Sequence, residues 1–84
     1  METLSSLENI VSQLGIHLRY EKGDFDGGVC RINEKRLLII NQALQPQKKI
    51  AVIAEELSRF DLSGVFIVPA IRELIETSAE THSY

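Results

Sequence analysis

Tryptophan is absent from this chain, and cysteine, methionine and proline are scarce. Each scarcity excludes something. With few aromatic side chains, the core must be built from aliphatic ones. The one cysteine, Cys30, has no second thiol with which to close an internal disulfide. Together with an N-terminus that does not read as a secretory leader, this gives the expectation of a reducing cytoplasm. No apolar run approaches the ~20 residues needed to cross a bilayer. Basic residues are outnumbered, 9 Lys and Arg against 12 Asp and Glu, for a formal charge of −3. A concentrated basic face, which nucleic acid or an anionic membrane would require, is not expected. The two histidines, His17 and His82, and Cys30 are too widely spaced for a metal signature. Nothing in the pattern calls for a cofactor.

What remains is an 84-residue chain of ordinary globular composition, long enough for one domain. That domain is expected over residues 1–78, with a flexible, solvated tail from 79 to 84.

The first segment, "SSLENIVSQLGIH", has the signs of a helix. Ser5 and Glu8 stand at capping-box spacing, and Leu7, Ile10, Val11 and Leu14 recur at helical period. Gly15 can take the left-handed conformation that ends a helix. "IHLRYE" then alternates, with Ile16, Leu18 and Tyr20 on one side, as a half-buried strand does. "KGDFDGG" reads as a loop. "GVCRI" and "RLLIIN" read as two strands joined by "NEK" in a hairpin. Leu37 to Ile40 are apolar on both faces, which predicts a central strand or one covered on its second face. From Pro46 the period becomes helical, with a stripe of Ile50, Ile53, Ala54 and Leu57 extended by Phe60. "DLSGVFIV" connects to a last helix that starts at Pro69 and turns Ile71, Leu74 and Ile75 inward. The expected class is α+β, in the order α-β-β-β-α-α, with a three-stranded antiparallel meander packed by helices.

Several residues are candidates for chemistry. Gly27 and Gly28 would suit a phosphate cradle, but such loops open onto a helix N-terminus and this pair opens onto a strand. A turn with positive φ or a close backbone approach is the plainer role. Cys30 would need a base or a positive field to become a nucleophile or redox sensor. Arg31 is adjacent but points to the opposite face of a strand. Free cysteine is among the most buried residue types, so Cys30 is expected to fill a small gap under a helix. Glu55 and Arg59 form an i,i+4 pair, ordinarily a solvated one. Arg31, Arg36, Arg59 and Arg72 would have to gather to hold an anion, and scattered surface pairs are the simpler expectation.

Two resemblances rest on these residues. The run "GGVCRI", "RLLIIN", "KKIAVIAEELSRFDL" and "VPAIRELIE" resembles a group of small uncharacterised bacterial proteins with a Gly-Gly-x-Cys-Arg hairpin and a Pro-x-x-Arg helix. It implies the fold and no activity. The layout of "LLIIN", a short linker and "IAVIAEELSRF" is similar to minimal zincin-type peptidases, where a strand ending in Asn precedes an HExxH helix. That resemblance sets Glu55 and Arg59 where the histidines would stand, with Glu56 at the glutamate. HExxH works because two imidazoles one turn apart grip a zinc ion whose water the glutamate activates. Without them the scaffold is a relic that has lost its metal.

Three functional expectations follow. The first is a non-catalytic protein-interaction module, self-associating as a homodimer through the Leu37–Ile40 strand or the Gly64–Val68 region, since uncovered apolar strands invite pairing. The second is an enzyme using the Cys30 thiol, or a metal held by Glu55 and Glu56. The third is a binder of small anions or nucleotides through Arg31, Arg59 and Arg72 near Gly27 and Gly28.

Overall fold

The computed structural model describes residues 3–81. Helix α1 spans Thr3–Gln13, strands β1, β2 and β3 span His17–Glu21, Gly27–Ile32 and Lys35–Asn41, and helices α2 and α3 span Pro46–Leu57 and Pro69–Thr81. The class is α+β. Residues 82–84, the end of the expected tail, lie outside the described residues, as does His82.

Helix α1 stops where its glycine permits. Gly15 has φ of +76°; its N–H bonds to the Ser12 carbonyl at 3.0 Å, and the Ile16 N–H reaches back to Val11 at 3.2 Å. This is the Schellman arrangement, in which the residue past the glycine packs against the last turn. Ile16 and Val11 are both buried. The start of the helix differs from expectation. It begins by Thr3, so Ser5 and Glu8 lie inside it and make no capping box. The Glu8 carboxylate instead accepts a hydrogen bond from the Tyr20 hydroxyl on β1.

The sheet is mixed and ordered β1-β3-β2, which corrects the antiparallel meander. β2 and β3 form the expected hairpin, with Cys30 opposite Leu37 and Ile32 opposite Lys35. Its turn is Asn33–Glu34, both at positive φ (51° and 69°), the type I′ geometry that matches strand twist. β1, however, pairs with β3 in parallel, Leu18 beside Leu38 and Tyr20 beside Ile40. β1 and β2 do run in opposite directions, as a short link demands, but β3 lies between them. The reason is burial. β3 is the most apolar strand, and the middle position pairs its backbone on both sides and covers its flanks.

Asn41, at the end of β3, fixes the loop that crosses over that strand. Its amide donates to the Gly23 carbonyl at 3.0 Å, and its side-chain oxygen accepts from the Ala43 N–H at 3.0 Å. Its backbone N–H bonds to the Asp26 carbonyl at 2.9 Å.

Helices α1 and α2 pack on the sheet, and α3 packs on those two helices without touching a strand. The core is aliphatic: Leu7, Ile10 and Val11 of α1, Leu38 and Ile40 of β3, Val52, Ile53, Ala54 and Leu57 of α2, and Ile71 and Ile75 of α3. Ile50 and Phe60, expected in the α2 stripe, pack at its margin, while Val52 is inside it. The connector between α2 and α3 buries Ile67 and leans Val65 and Val68 on the core. Among the described residues no helix is long and apolar enough to cross a membrane.

Candidate functional site

Strand alternation assigns every residue of the sheet to a face. Leu18, Tyr20, Val29, Leu38 and Ile40 turn towards the helices and pack on the core. The opposite face carries His17, Arg19 and Glu21 of β1, Lys35, Leu37 and Ile39 of β3, and Gly28, Cys30 and Ile32 of β2. No element of the described chain covers it. Ile32 is 53% exposed and Phe25, in the loop before β2, is 39% exposed. Leu37 and Ile39 are half-buried by their neighbours alone.

Sequence-predicted residues fall in three places. Gly27 and Gly28 are in β2, not in a turn. They differ from each other. A Cβ on Gly27 would stand 2.7 Å from the Ile39 carbonyl oxygen, 2.9 Å from Ile40 Cδ1 and 3.1 Å from Val52 Cγ1. Gly27 therefore lets α2 approach the sheet. A Cβ on Gly28 would meet nothing within 4 Å. The space beside it is a shallow hollow of about 350 Å³ on the bare face, lined in part by Phe25, Gly28, Cys30 and Ile39.

Cys30 is exposed on that face, which corrects the expectation of a gap-filler under a helix. The reason is parity: Val29, one residue earlier, takes the core position in β2. His17 and Cys30 share a row of the sheet with Leu37 between them. Two strand spacings, roughly 10 Å, separate their backbones, and the imidazole is not within hydrogen-bond reach of the thiol.

Glu55, Glu56 and Arg59 meet at the C-terminal end of α2. Arg59 Nη1 lies 3.1 Å from Glu56 Oε2, and Nη2 lies 3.7 Å from Glu55 Oε2. One guanidinium thus holds both carboxylates. Among the described residues no three His, Cys, Asp or Glu side chains gather in a metal-binding group.

The arginines do not share one site. Arg31 is opposite Arg36 in the hairpin. The Arg36 guanidinium turns away to donate to the Leu14 carbonyl at 3.0 Å and lies 5.2 Å from the centre of the Phe60 ring. Arg72 lines a cleft with Ser58, Phe60, Leu62 and Ile75, and neither Arg31 nor Arg59 joins it there.

A second cleft, of about 210 Å³, lies between α1 and the connector, with Ser6, Asn9 and Gln13 on one wall and Ile67 and Ile71 on the other. Phe66, 80% exposed, stands at its edge. The sequence pointed to this connector only as an apolar run, without separating the buried Ile67 from the projecting Phe66.

No protein-family model, curated protein or solved structure matches the chain.

Proposed function

We propose that this protein is a non-catalytic interaction module whose binding surface is the uncovered face of the sheet. The observation that carries this reading is a contiguous row of apolar side chains, Phe25, Cys30, Ile32, Leu37 and Ile39, on the side away from every helix. Exposed apolar area of this kind, rimmed by charges, is the usual mark of an interface. The rim here is Arg19, Glu21 and Lys35. At the β1 edge, Arg19 and Glu21 discourage strand addition, which leaves the face for recognition there.

The remaining chemistry favours no enzyme. The thiol and the imidazole stand apart. The carboxylates of Glu55 and Glu56 are engaged by Arg59, so the zincin-like layout serves here as scaffold. Anion binding by Arg31, Arg59 and Arg72 together finds no common cleft.

The test is a pair of bait proteins, wild-type and Ile39→Asp, with Phe66→Ser as a control on the other side of the molecule. Binding to native partners should be lost with Ile39→Asp and kept with Phe66→Ser, while all three melt cooperatively. Binding that ignores Ile39→Asp rejects the reading.

A further inference from the structure

We infer that an extended segment of a partner protein adds to β2 as a further strand, antiparallel to it, with a large aromatic side chain opposite Gly28 and an acidic one opposite Arg31. The inference rests on the proposed role of the bare face as a binding surface and adds what binds at its β2 side.

The backbone gives the first argument. β2 is an edge strand, with β3 on one side and no strand on the other. The Asn41 N–H bonds to the Asp26 carbonyl, which sets the phase of the ladder. Hydrogen-bonded pairs alternate in an antiparallel ladder, so Gly28, Cys30 and Ile32 bond to β3. The N–H and C=O groups of Gly27, Val29 and Arg31 point to the open side, and no bond to them is made by any described residue. Devices that blunt an edge are missing: β2 has no proline and no lysine, and it pairs with β3 residue for residue without a bulge. Donors and acceptors at alternate residues are matched by one kind of occupant, an extended chain.

Side chains give the second argument. Towards an added antiparallel strand Gly28 takes a non-hydrogen-bonded position, where facing Cα atoms approach to about 4.5 Å. A Cβ on Gly28 would meet nothing within 4 Å, and the hollow beside it is walled by Phe25, Cys30 and Ile39. An aromatic side chain opposite an edge glycine lies across it and fills such a space. Arg31 faces a like charge on β3, Arg36, and has no ion-pair partner among the described residues. An acid on its open side makes the favourable cross-strand pair that β3 does not. In an antiparallel strand the two fall three residues apart, in the order acid-x-x-aromatic. β2 holds neither an acid nor an aromatic residue, so a second copy pairing β2 with β2 supplies neither side chain.

The probe is a displayed library of random linear peptides, each long enough to span β2, selected on the full chain. Binders should converge on acid-x-x-aromatic. At saturation with the consensus peptide, the amides of Gly27, Val29 and Arg31 should exchange at least about tenfold more slowly. Those of Gly28, Cys30 and Ile32, already bonded to β3, should change less. Gly28→Val fills the hollow and should weaken binding about tenfold. Arg31→Glu should weaken it too, and a peptide with its acid exchanged for lysine should restore it, a rescue that misfolding cannot mimic. Binders without that spacing, no binders, or a consensus peptide that leaves the alternate amides unprotected overturn the inference. So does protection of those amides by self-association of the chain alone. Peptides that are lost with Ile39→Asp yet leave the three amides exchanging freely overturn the added strand and leave the face reading standing.

Discussion

The Tyr20 hydroxyl donates a hydrogen bond to the Glu8 carboxylate and so ties β1 to α1 across twelve residues. Lys49 of α2 stands 5.3 Å from the centre of the same ring. One phenol thus touches both helices that flank the strand. Removing its hydroxyl leaves Glu8 half-buried without that donor, and hydrogen bonds to charged groups contribute about 1.5–3 kcal/mol. Tyr20→Phe should therefore cost about 2 kcal/mol and lower Tm by roughly 8–16 °C in a domain of this size. A thermal melt within about 2 °C of wild type would show that the bond contributes nothing net.

The same phenol makes stability depend on alkaline pH. Its pKa is raised well above the usual value, first by burial, then by the hydrogen bond and the negative charge of Glu8. The folded state therefore keeps the proton at a pH where the unfolded chain gives it up. The stabilisation is complete below the unfolded pKa of about 10 and falls as pH rises from there towards the folded value. The gap in Tm between wild type and Tyr20→Phe should accordingly narrow as pH rises above about 10. A gap that stays constant over that window would mean that Tyr20 ionises alike in both states.

Gly27 and Gly28 should respond oppositely to the same substitution. Gly27→Ala forces a methyl against the Ile39 carbonyl, Ile40 and Val52, with the nearest atom at 2.7 Å. Overpacking of this kind costs roughly 1–3 kcal/mol. Gly28→Ala meets open space at a residue without positive φ, and should be neutral or stabilise by about 0.5 kcal/mol through a less flexible unfolded chain. Urea midpoints of the two variants decide this. Equal midpoints would contradict the close approach of α2 to β2.

These glycines show what was legible in the sequence. Their being adjacent suggested either a turn or a close approach, and the choice depends on α2, a helix that contacts β2 from fourteen or more positions away in the chain. Local patterns read well. Gly15 ends α1, and the two-sided apolar β3 is central. The neighbour of β1 did not read, because the alternation of Leu18 and Tyr20 reports which face is buried and is silent on which strand lies alongside. Glu8 misled for a related reason: its spacing from Ser5 is local, while Tyr20 is supplied by the tertiary fold. Cys30 was placed inside on residue type alone, and parity with Val29 would have placed it outside. The two-sided apolar pattern of β3 raised the possibility of an uncovered face, and the placing of α1 and α2 on the sheet with α3 behind them decides which face that is.

Glu34 is the residue most at odds with its local conformation. It stands second in the two-residue turn between β2 and β3, at φ of 69°. A left-handed conformation costs a residue with a Cβ roughly 1–2 kcal/mol, whereas glycine adopts it freely. Asn-Gly is the pair that type I′ hairpins favour, and Asn33 already occupies the first position. Glu34→Gly should stabilise the domain by about 0.5–1 kcal/mol, after subtracting the extra flexibility of glycine in the unfolded chain. The signature is a higher urea midpoint at unchanged slope, since the surface exposed on unfolding stays the same. Glu34→Ala, which retains the Cβ, should give none of this gain. If alanine and glycine stabilise equally, the gain does not come from relieving the left-handed conformation, and the turn is not strained.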